Sequence, residues 1–106
     1  MGLGNMGKMM KQVQKLQAEM ERVQEELRQA RVEATAGGGA VKAGADGHGE
    51  LVALAIDPAA VDPEDVGLLQ DLVLAAVRQA QRNARALAEA RMQAVAGGLG
   101  LPGWPR

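Results

Sequence analysis

The feature that most constrains this chain is a run near its start in which apolar side chains recur every three or four positions. The run lies between Asn5 and Arg31, and no Gly or Pro interrupts it after Gly7. This spacing predicts one helix with a narrow apolar seam, of the kind that packs along a partner helix. The seam residues are Met6, Met9, Val13, Leu16, Met20, Val23, Leu27 and Ala30.

The helix is long for its domain. At 1.5 Å per residue it extends over roughly 40 Å, whereas a compact domain of about 100 residues has a radius of gyration near 13 Å. The chain has 106 residues and one aromatic side chain, Trp104, so its core is small. Both observations favour a homodimer. Its predicted interface residues on this helix are Met9, Val13, Leu16, Met20, Val23 and Leu27.

The middle of the chain predicts three short antiparallel strands. Gly37-Gly38-Gly39 is expected to form the first turn, and Asp46-Gly47 is a signal for a two-residue hairpin turn. The predicted strands cover Val32–Ala36, Ala40–Ala45 and Glu50–Ile56.

A second long helix is predicted to begin with Asp62 as N-cap and Pro63 in the first helical position. It is expected to end near Ala96, where Gly97-Gly98 follows. The expected fold is therefore α+β, a two-layer α-β-β-β-α protomer with a three-stranded antiparallel sheet and two long helices. One domain covers residues 1–96, and a flexible Gly/Pro-rich tail covers residues 97–106.

The composition excludes most catalytic chemistry. The chain has no Ser and no Cys, and its one His, His48, falls in a predicted turn. No nucleophile–base pair or general acid–base pair can be assembled, so we expect no enzyme, no cofactor and no small-molecule substrate. The acidic cluster of Asp57, Asp62, Glu64 and Asp65 could bind a divalent cation, but helix capping explains three of its members, and no metal site is expected.

No apolar run approaches the length of a membrane span, and the first residues do not form a signal peptide. We therefore expect no membrane partner and a cytoplasmic location.

The formal net charge of −1 hides an uneven distribution. Residues 1–31 carry six basic and four acidic side chains, whereas residues 32–66 carry one basic and seven acidic side chains. Residues 67–106 carry five basic and two acidic side chains. Both helices are therefore basic, and the predicted sheet region between them is acidic.

Helical projection places much of the basic charge on edges that point away from the apolar faces. On the first helix these side chains occupy a sector about 60° wide, and three arginines share a sector on the second helix, with Arg91 outside it. Clustered Lys and Arg along a helix indicate phosphate binding, although a plain solvated surface has the same pattern. The candidate DNA-binding residues are Lys8, Lys11, Lys15, Arg22, Arg78, Arg82, Arg85 and Arg91.

Several segments in order resemble the bacterial YbaB/EbfC family of nucleoid-associated proteins, over almost the whole chain. They are Ala36-Gly37-Gly38-Gly39-Ala40-Val41-Lys42, Gly47-His48-Gly49-Glu50, Ile56-Asp57-Pro58, Val61-Asp62-Pro63-Glu64-Asp65-Val66, Leu72-Val73-Leu74-Ala75-Ala76-Val77 and Gly97-Gly98-Leu99-Gly100-Leu101-Pro102-Gly103. Two features depart from the family pattern, namely the small residues Ala43-Gly44-Ala45 and Trp104 in the tail.

The resemblance implies an intertwined, tweezer-like homodimer of α-β-β-β-α protomers. It also implies binding to double-stranded DNA in the nucleoid with little sequence preference, and an influence on chromosome organisation and gene expression. Because the basic edges suit the phosphate backbone, we expect contacts mainly to phosphate. The alternative is a protein–protein interaction module, in which the long helices grip a partner protein and the basic edges are only soluble surface.

Overall fold

The computed structural model describes residues 3–98 and confirms the predicted order of elements. Two long helices flank a sheet of three short strands, and a single 3-10 turn follows the last strand. The elements are α1 (Leu3–Gln29), β1 (Val32–Ala36), β2 (Val41–Ala45), β3 (Leu51–Ile56), η1 (Pro58–Ala60) and α2 (Val66–Gly98). Residues 99–106, which include Trp104, lie outside the described part, so the prediction of a flexible tail stays a prediction.

The sheet is antiparallel with the strand order β1-β2-β3, and its first turn forms as predicted. Gly37, Gly38 and Gly39 have φ values of 64°, 69° and 97°, which residues with a Cβ rarely adopt. Ala43 on the central strand is paired with Ala34 on one side and with Leu54 on the other. An irregularity between Gly44 and Ala45 shifts the register against β3.

Helix α2 packs on β1 and β2 through small side chains. Ala76, Ala80 and Ala84 are completely buried, and they share one core cluster with Ala43 and Ala45 of β2. Small residues on both surfaces let the helix approach the sheet closely, which explains why the small residues of β2 are compatible with a strand here. The third strand is less well covered, since Leu51, Val52 and Leu54 remain 42–45% exposed.

A second, smaller cluster joins the C-terminal half of α1 to the C-terminal half of α2. Val23 and Leu27 of α1 are buried together with Val95 of α2, and Leu87 and Met92 pack beside them. The N-terminal half of α1 extends beyond this cluster, and every residue from Gly4 to Lys15 is exposed. We call residues 4–15 the arm. The protomer is consequently elongated, with extents of 75 × 22 × 16 Å.

The loop between β2 and β3 is longer than the two-residue turn that Asp46-Gly47 predicts. The loop covers residues 46–50, because the buried Asp46 side chain organises it. Its Oδ1 accepts hydrogen bonds from the backbone N–H groups of His48 (2.9 Å) and Glu50 (3.0 Å). Gly49, not Gly47, has the positive φ, at 84°.

The start of α2 also differs from the prediction. Asp62 does not cap the helix but closes a separate turn, in which its Oδ1 accepts from Glu64 N at 2.9 Å. Asp65 is the residue that caps α2, since its Oδ1 accepts from Leu68 N at 3.2 Å. Asp57 likewise caps the 3-10 turn by accepting from Ala59 N at 3.0 Å. Three of the four clustered carboxylates thus bind backbone N–H groups.

The remaining boundaries differ by one or two residues. Helix α1 ends at Gln29 rather than Arg31, and β2 and β3 each begin one residue later than expected. Gly97 and Gly98 belong to α2, so the segment assigned to the tail begins inside the helix.

Candidate nucleic-acid interface

Three of the predicted DNA contacts, Lys8, Lys11 and Lys15, lie together on α1. Lys8 and Lys11 lie within the arm, Lys15 is its last residue, and all three side chains are exposed. The ion pairs found between residues 3 and 98 include none of these lysines. Since the three span about 10 Å along the helix, they form a short row of positive charge outside these ion pairs. The nearby charge of Lys15 contributes to the lowered pKa of Glu19.

Arg22, the fourth predicted contact on α1, is held by two carboxylates of its own helix. One guanidinium nitrogen donates to Glu19 Oε2 at 2.6 Å, and the other donates to Glu26 Oε1. The hydrogen bond from Arg22 lowers the pKa of Glu19, and the bond to Glu19 in turn raises the pKa of Arg22. The charge of Arg22 is therefore largely compensated inside the protein.

Arg91 connects the same group of charges to α2. The Nε of Arg91 lies 3.9 Å from Glu26 Oε2. Glu26 therefore forms ion pairs both with Arg22 of α1 and with Arg91 of α2. Lys15, Arg22 and Arg91 line one groove between α1 and α2, together with Glu19 and with Glu25 and Glu26, and its volume is about 1190 Å³.

The arginine edge of α2 lies elsewhere. Arg78, Arg82 and Arg85 are exposed, and the guanidinium of Arg82 donates to Gln79 Oε1 at 2.9 and 3.3 Å. Arg85 and His48 line a second groove, of about 480 Å³. These two grooves share only Leu27 among their lining residues, and Arg85 lies beside a different groove from Lys15 and Arg22.

The predicted dimer-interface residues fall into two groups. Met9 and Val13 lie on the arm and are 65% and 54% exposed, and Leu16 and Met20 are half-buried. Val23 and Leu27, in contrast, are covered by α2 of the same chain. The C-terminal end of the apolar seam is thus covered by α2 of the same protomer, whereas its N-terminal end is exposed.

The residues that fix the direction of the arm were not found from the sequence. The N–H of Gly47 donates to the carbonyl oxygen of Leu27 at 2.7 Å, and His48 Nε2 lies 3.1 Å from the carbonyl oxygen of Gln24. The β2–β3 loop is therefore docked on the last turns of α1. These pairs are 20 or more residues apart in the chain, and no local pattern indicates them.

Two further kinds of site were sought among residues 3–98. No group of three or more His, Cys, Asp and Glu side chains there could hold a metal ion. In the same range, neither helix combines the length and the hydropathy needed to cross a membrane.

This small α+β protomer carries a row of exposed lysines on a projecting helix, and clustering of basic side chains along a helix is typical of nucleic-acid-binding proteins. The YbaB/EbfC DNA-binding family matches residues 1–99. The chain belongs to this family, which is described by the binding of DNA and not by a reaction. Membership confirms the resemblance and, together with the relatives, the prediction of a nucleoid-associated DNA-binding protein.

The relatives are similar over most of their length and of this chain. A nucleoid-associated protein of Moorella thermoacetica is 56% identical over 104 residues, which are 98% of this chain and 100% of the relative. One of Pelotomaculum thermopropionicum is 54% identical over 94% of this chain and 95% of its own. The crystal structure of an uncharacterized Helicobacter pylori protein has the same fold, with a TM-score of 0.69 at 22% identity, and covers 85% of this chain and 91% of its own.

Proposed function

We propose that this protein binds double-stranded DNA mainly through the phosphate backbone, with little sequence specificity, as a homodimer in the cytoplasmic nucleoid. In this way it organises the chromosome and influences gene expression. The observation that carries the proposal is the row of Lys8, Lys11 and Lys15, which is exposed and unpaired within the described residues. Phosphate contacts give affinity without reading the bases.

Arg78, Arg82 and Arg85 add a second basic edge to this proposal. They lie on the part of α2 that packs on the sheet, and this part is far from the arm in the sequence.

The test of DNA binding is a salt series on duplexes of unrelated sequence. The logarithm of affinity should fall linearly with the logarithm of salt, with a slope of about 0.9 for each phosphate contact. The triple variant K8Q/K11Q/K15Q should weaken binding to every duplex alike and make the slope shallower by up to about 2.7 for each protomer whose arm contacts the duplex. A loss confined to one sequence would contradict phosphate-dominated binding.

The matched control removes three positive charges elsewhere. Arg28, Arg31 and Lys42 are exposed and outside the candidate set, and the variant R28Q/R31Q/K42Q has the same net charge as the first triple variant. Because Arg28 pairs with Glu25 and Lys42 with Glu33, circular dichroism of this variant verifies that the fold is retained. If both triple variants lost equal affinity, net charge rather than the arm would govern binding, and the assignment of the three lysines would be wrong.

The homodimer is supported by apolar surface that the protomer leaves open. Leu51, Val52 and Leu54 of β3 are exposed, and β3 is paired on one side only, so its outer edge has free backbone groups. Further exposed apolar side chains follow in the chain, at Val61, Val66, Leu68 and Leu74. A second copy seated on β3 would bury this surface, and the open end of the seam at Met9 and Val13 would add to it.

Light scattering tests this assembly. The native chain should have twice the mass of one protomer, and Leu54→Lys should lower the mass toward that of one protomer because it places a charge in the buried interface. Thr35→Lys on the opposite edge strand, also exposed, is the control and should leave the mass unchanged. If the native chain had the mass of one protomer at micromolar concentration, the proposal of a homodimer would be wrong.

The alternative, a module that grips another protein, is favoured by one observation. Met6, Met9, Met10 and Val13 form an exposed apolar stripe on the arm, and Met side chains adapt to varied partners. Recovery of the same partner protein before and after nuclease treatment would favour this function, whereas release by nuclease favours DNA.

A further inference from the structure

Two of the predicted DNA-binding arginines, Arg22 and Arg91, are paired with carboxylates at the protein surface. Arg22 is bound on both sides, by Glu19 and by Glu26, and Glu26 also faces Arg91 across the groove. All four side chains are substantially exposed, from 35% for Glu19 to 53% for Arg22. The group therefore lies at the surface, where a ligand can reach it.

We propose that Glu19 and Glu26 act as internal competitors of the DNA phosphates, so that they lower the affinity of α1 for DNA by occupying Arg22 and Arg91. The proposal rests on the proposed function, because it assumes that phosphate is the ligand. It assigns to these two glutamates the control of affinity at the same surface.

The chemistry of the two anions supports the competition. A guanidinium binds a carboxylate and a phosphate with the same fork of N–H donors, so one can replace the other. Exposed ion pairs are weak, and a duplex phosphate can therefore displace Glu19 from Arg22. Each displacement consumes part of the binding free energy, which makes native affinity lower than the number of basic side chains suggests.

The positions of the glutamates also support it. With 100° per residue, Glu19 and Glu26 project within about 50° of the centre of the sector that holds Lys8, Lys11, Lys15 and Arg22. Glu21 projects about 110° away from that centre, and it is exposed and absent from the ion pairs found in residues 3–98. Glu21 therefore provides a matched control on the same helix.

The first experiment compares Glu26→Gln with Glu21→Gln in duplex binding at about 0.1 M salt. Each substitution removes one negative charge and keeps a good helix former. We expect Glu26→Gln to raise affinity roughly three- to tenfold and to steepen the salt slope by about 0.9 for each arginine that gains a phosphate. Glu21→Gln should raise affinity less than about twofold, because solvent ions screen a charge that lies off the interface.

The second experiment is a double-mutant cycle on Arg22. In the native chain Arg22→Gln should cost less affinity than in the E19Q/E26Q background, since part of the free energy of the phosphate contact is spent on displacing the two carboxylates. In the E19Q/E26Q background the same substitution should remove most of the gained affinity. Circular dichroism of each variant verifies that the helices are retained.

The outcomes separate this proposal from the proposed function. Equal gains for Glu26→Gln and Glu21→Gln, or an equal cost of Arg22→Gln in both backgrounds, would overturn the competition and leave DNA binding intact. If the native chain failed to bind any duplex at 50 mM salt, about the lower end of the usual range, the proposed function and this inference would both be wrong.

Discussion

The N–H of Gly47 donates to the carbonyl oxygen of Leu27 at 2.7 Å, and this contact joins the β2–β3 loop to the last turns of α1. A Cβ built on Gly47 would lie 2.7 Å from the same oxygen and 2.8 Å from the Leu27 Cα. Two of the three nearest atoms are backbone, so they cannot move aside as the third, the side-chain Cδ2 of Leu27 at 2.7 Å, could. The absence of a side chain at position 47 is therefore what allows the arm to leave the body in its observed direction.

Gly47→Ala should destabilise the protein. The added methyl group forces α1 away from the loop, and overpacking of this kind costs about 1–3 kcal/mol. Urea denaturation at one fixed protein concentration measures the change. Gly67→Ala is the control, because position 67 lies in α2 with its nearest neighbouring atom 4.0 Å away. There the substitution should stabilise by up to about 1 kcal/mol, and equal effects at both positions would contradict the role of Gly47.

Asp46→Ala should also destabilise, through lost hydrogen bonds. The buried carboxylate accepts from the N–H groups of His48 and Glu50, and its removal leaves two donors without their partner at a cost of about 1–3 kcal/mol. Asp62→Ala removes a similar bond to Glu64 in an exposed turn, where water can replace the carboxylate. We expect Asp62→Ala to lower the free energy of unfolding less than Asp46→Ala does. The reverse order would contradict the role of Asp46 in organising the loop.

Ala80→Leu should disrupt the packing of α2 on the sheet. Ala80 is completely buried in a cluster of alanines, and extra methylene groups in a close-packed core cost about 1–3 kcal/mol. Ala86→Leu, at an exposed position of the same helix, should change stability by less than about 0.5 kcal/mol. The midpoint of thermal unfolding distinguishes the two, and an unchanged midpoint for Ala80→Leu would show that the helix–sheet contact is looser than described.

The carboxyl group of Glu19 should titrate below its ordinary pKa of 4.5, because Arg22 donates a hydrogen bond to it. A pKa that is lower in the folded protein means that the ion pair contributes stability above the unfolded pKa and loses it as the pH falls through the folded pKa. The helix content of α1 should therefore decrease slightly on acidification below about pH 4.5. Carboxyl NMR titration of Arg22→Gln should find the pKa of Glu19 raised, and an unchanged value would rule out the pairing.

The sequence predicted the order of elements, the glycine turn and the apolar face of α1, because these depend on local spacing. It could not say what covers that face. A spacing of three and four residues is the same whether the partner is another chain or α2, and Val23 and Leu27 pack on α2. Only the positions before Leu16 remain open to a partner.

The same limit applies to the start of α2 and to the β2–β3 loop. Asp62 and Asp65 both suit an N-cap by residue type, and the tertiary placement of the chain, not propensity, makes Asp65 the cap. Asp46 in turn becomes a loop-organising acceptor because burial removes it from water. The pairing of Arg22 with Glu19 and Glu26 was not predicted, although spacings of three and four on a helix bring such charges together.

In the exposed arm, the residues that would bind a ligand are largely separate from the residues that stabilise the protomer. Every residue from 4 to 15 is exposed in the protomer, so a substitution on the polar side of this helix can change what the protein binds with little effect on how the protomer folds. Selection on those polar positions can therefore act mainly through the ligand.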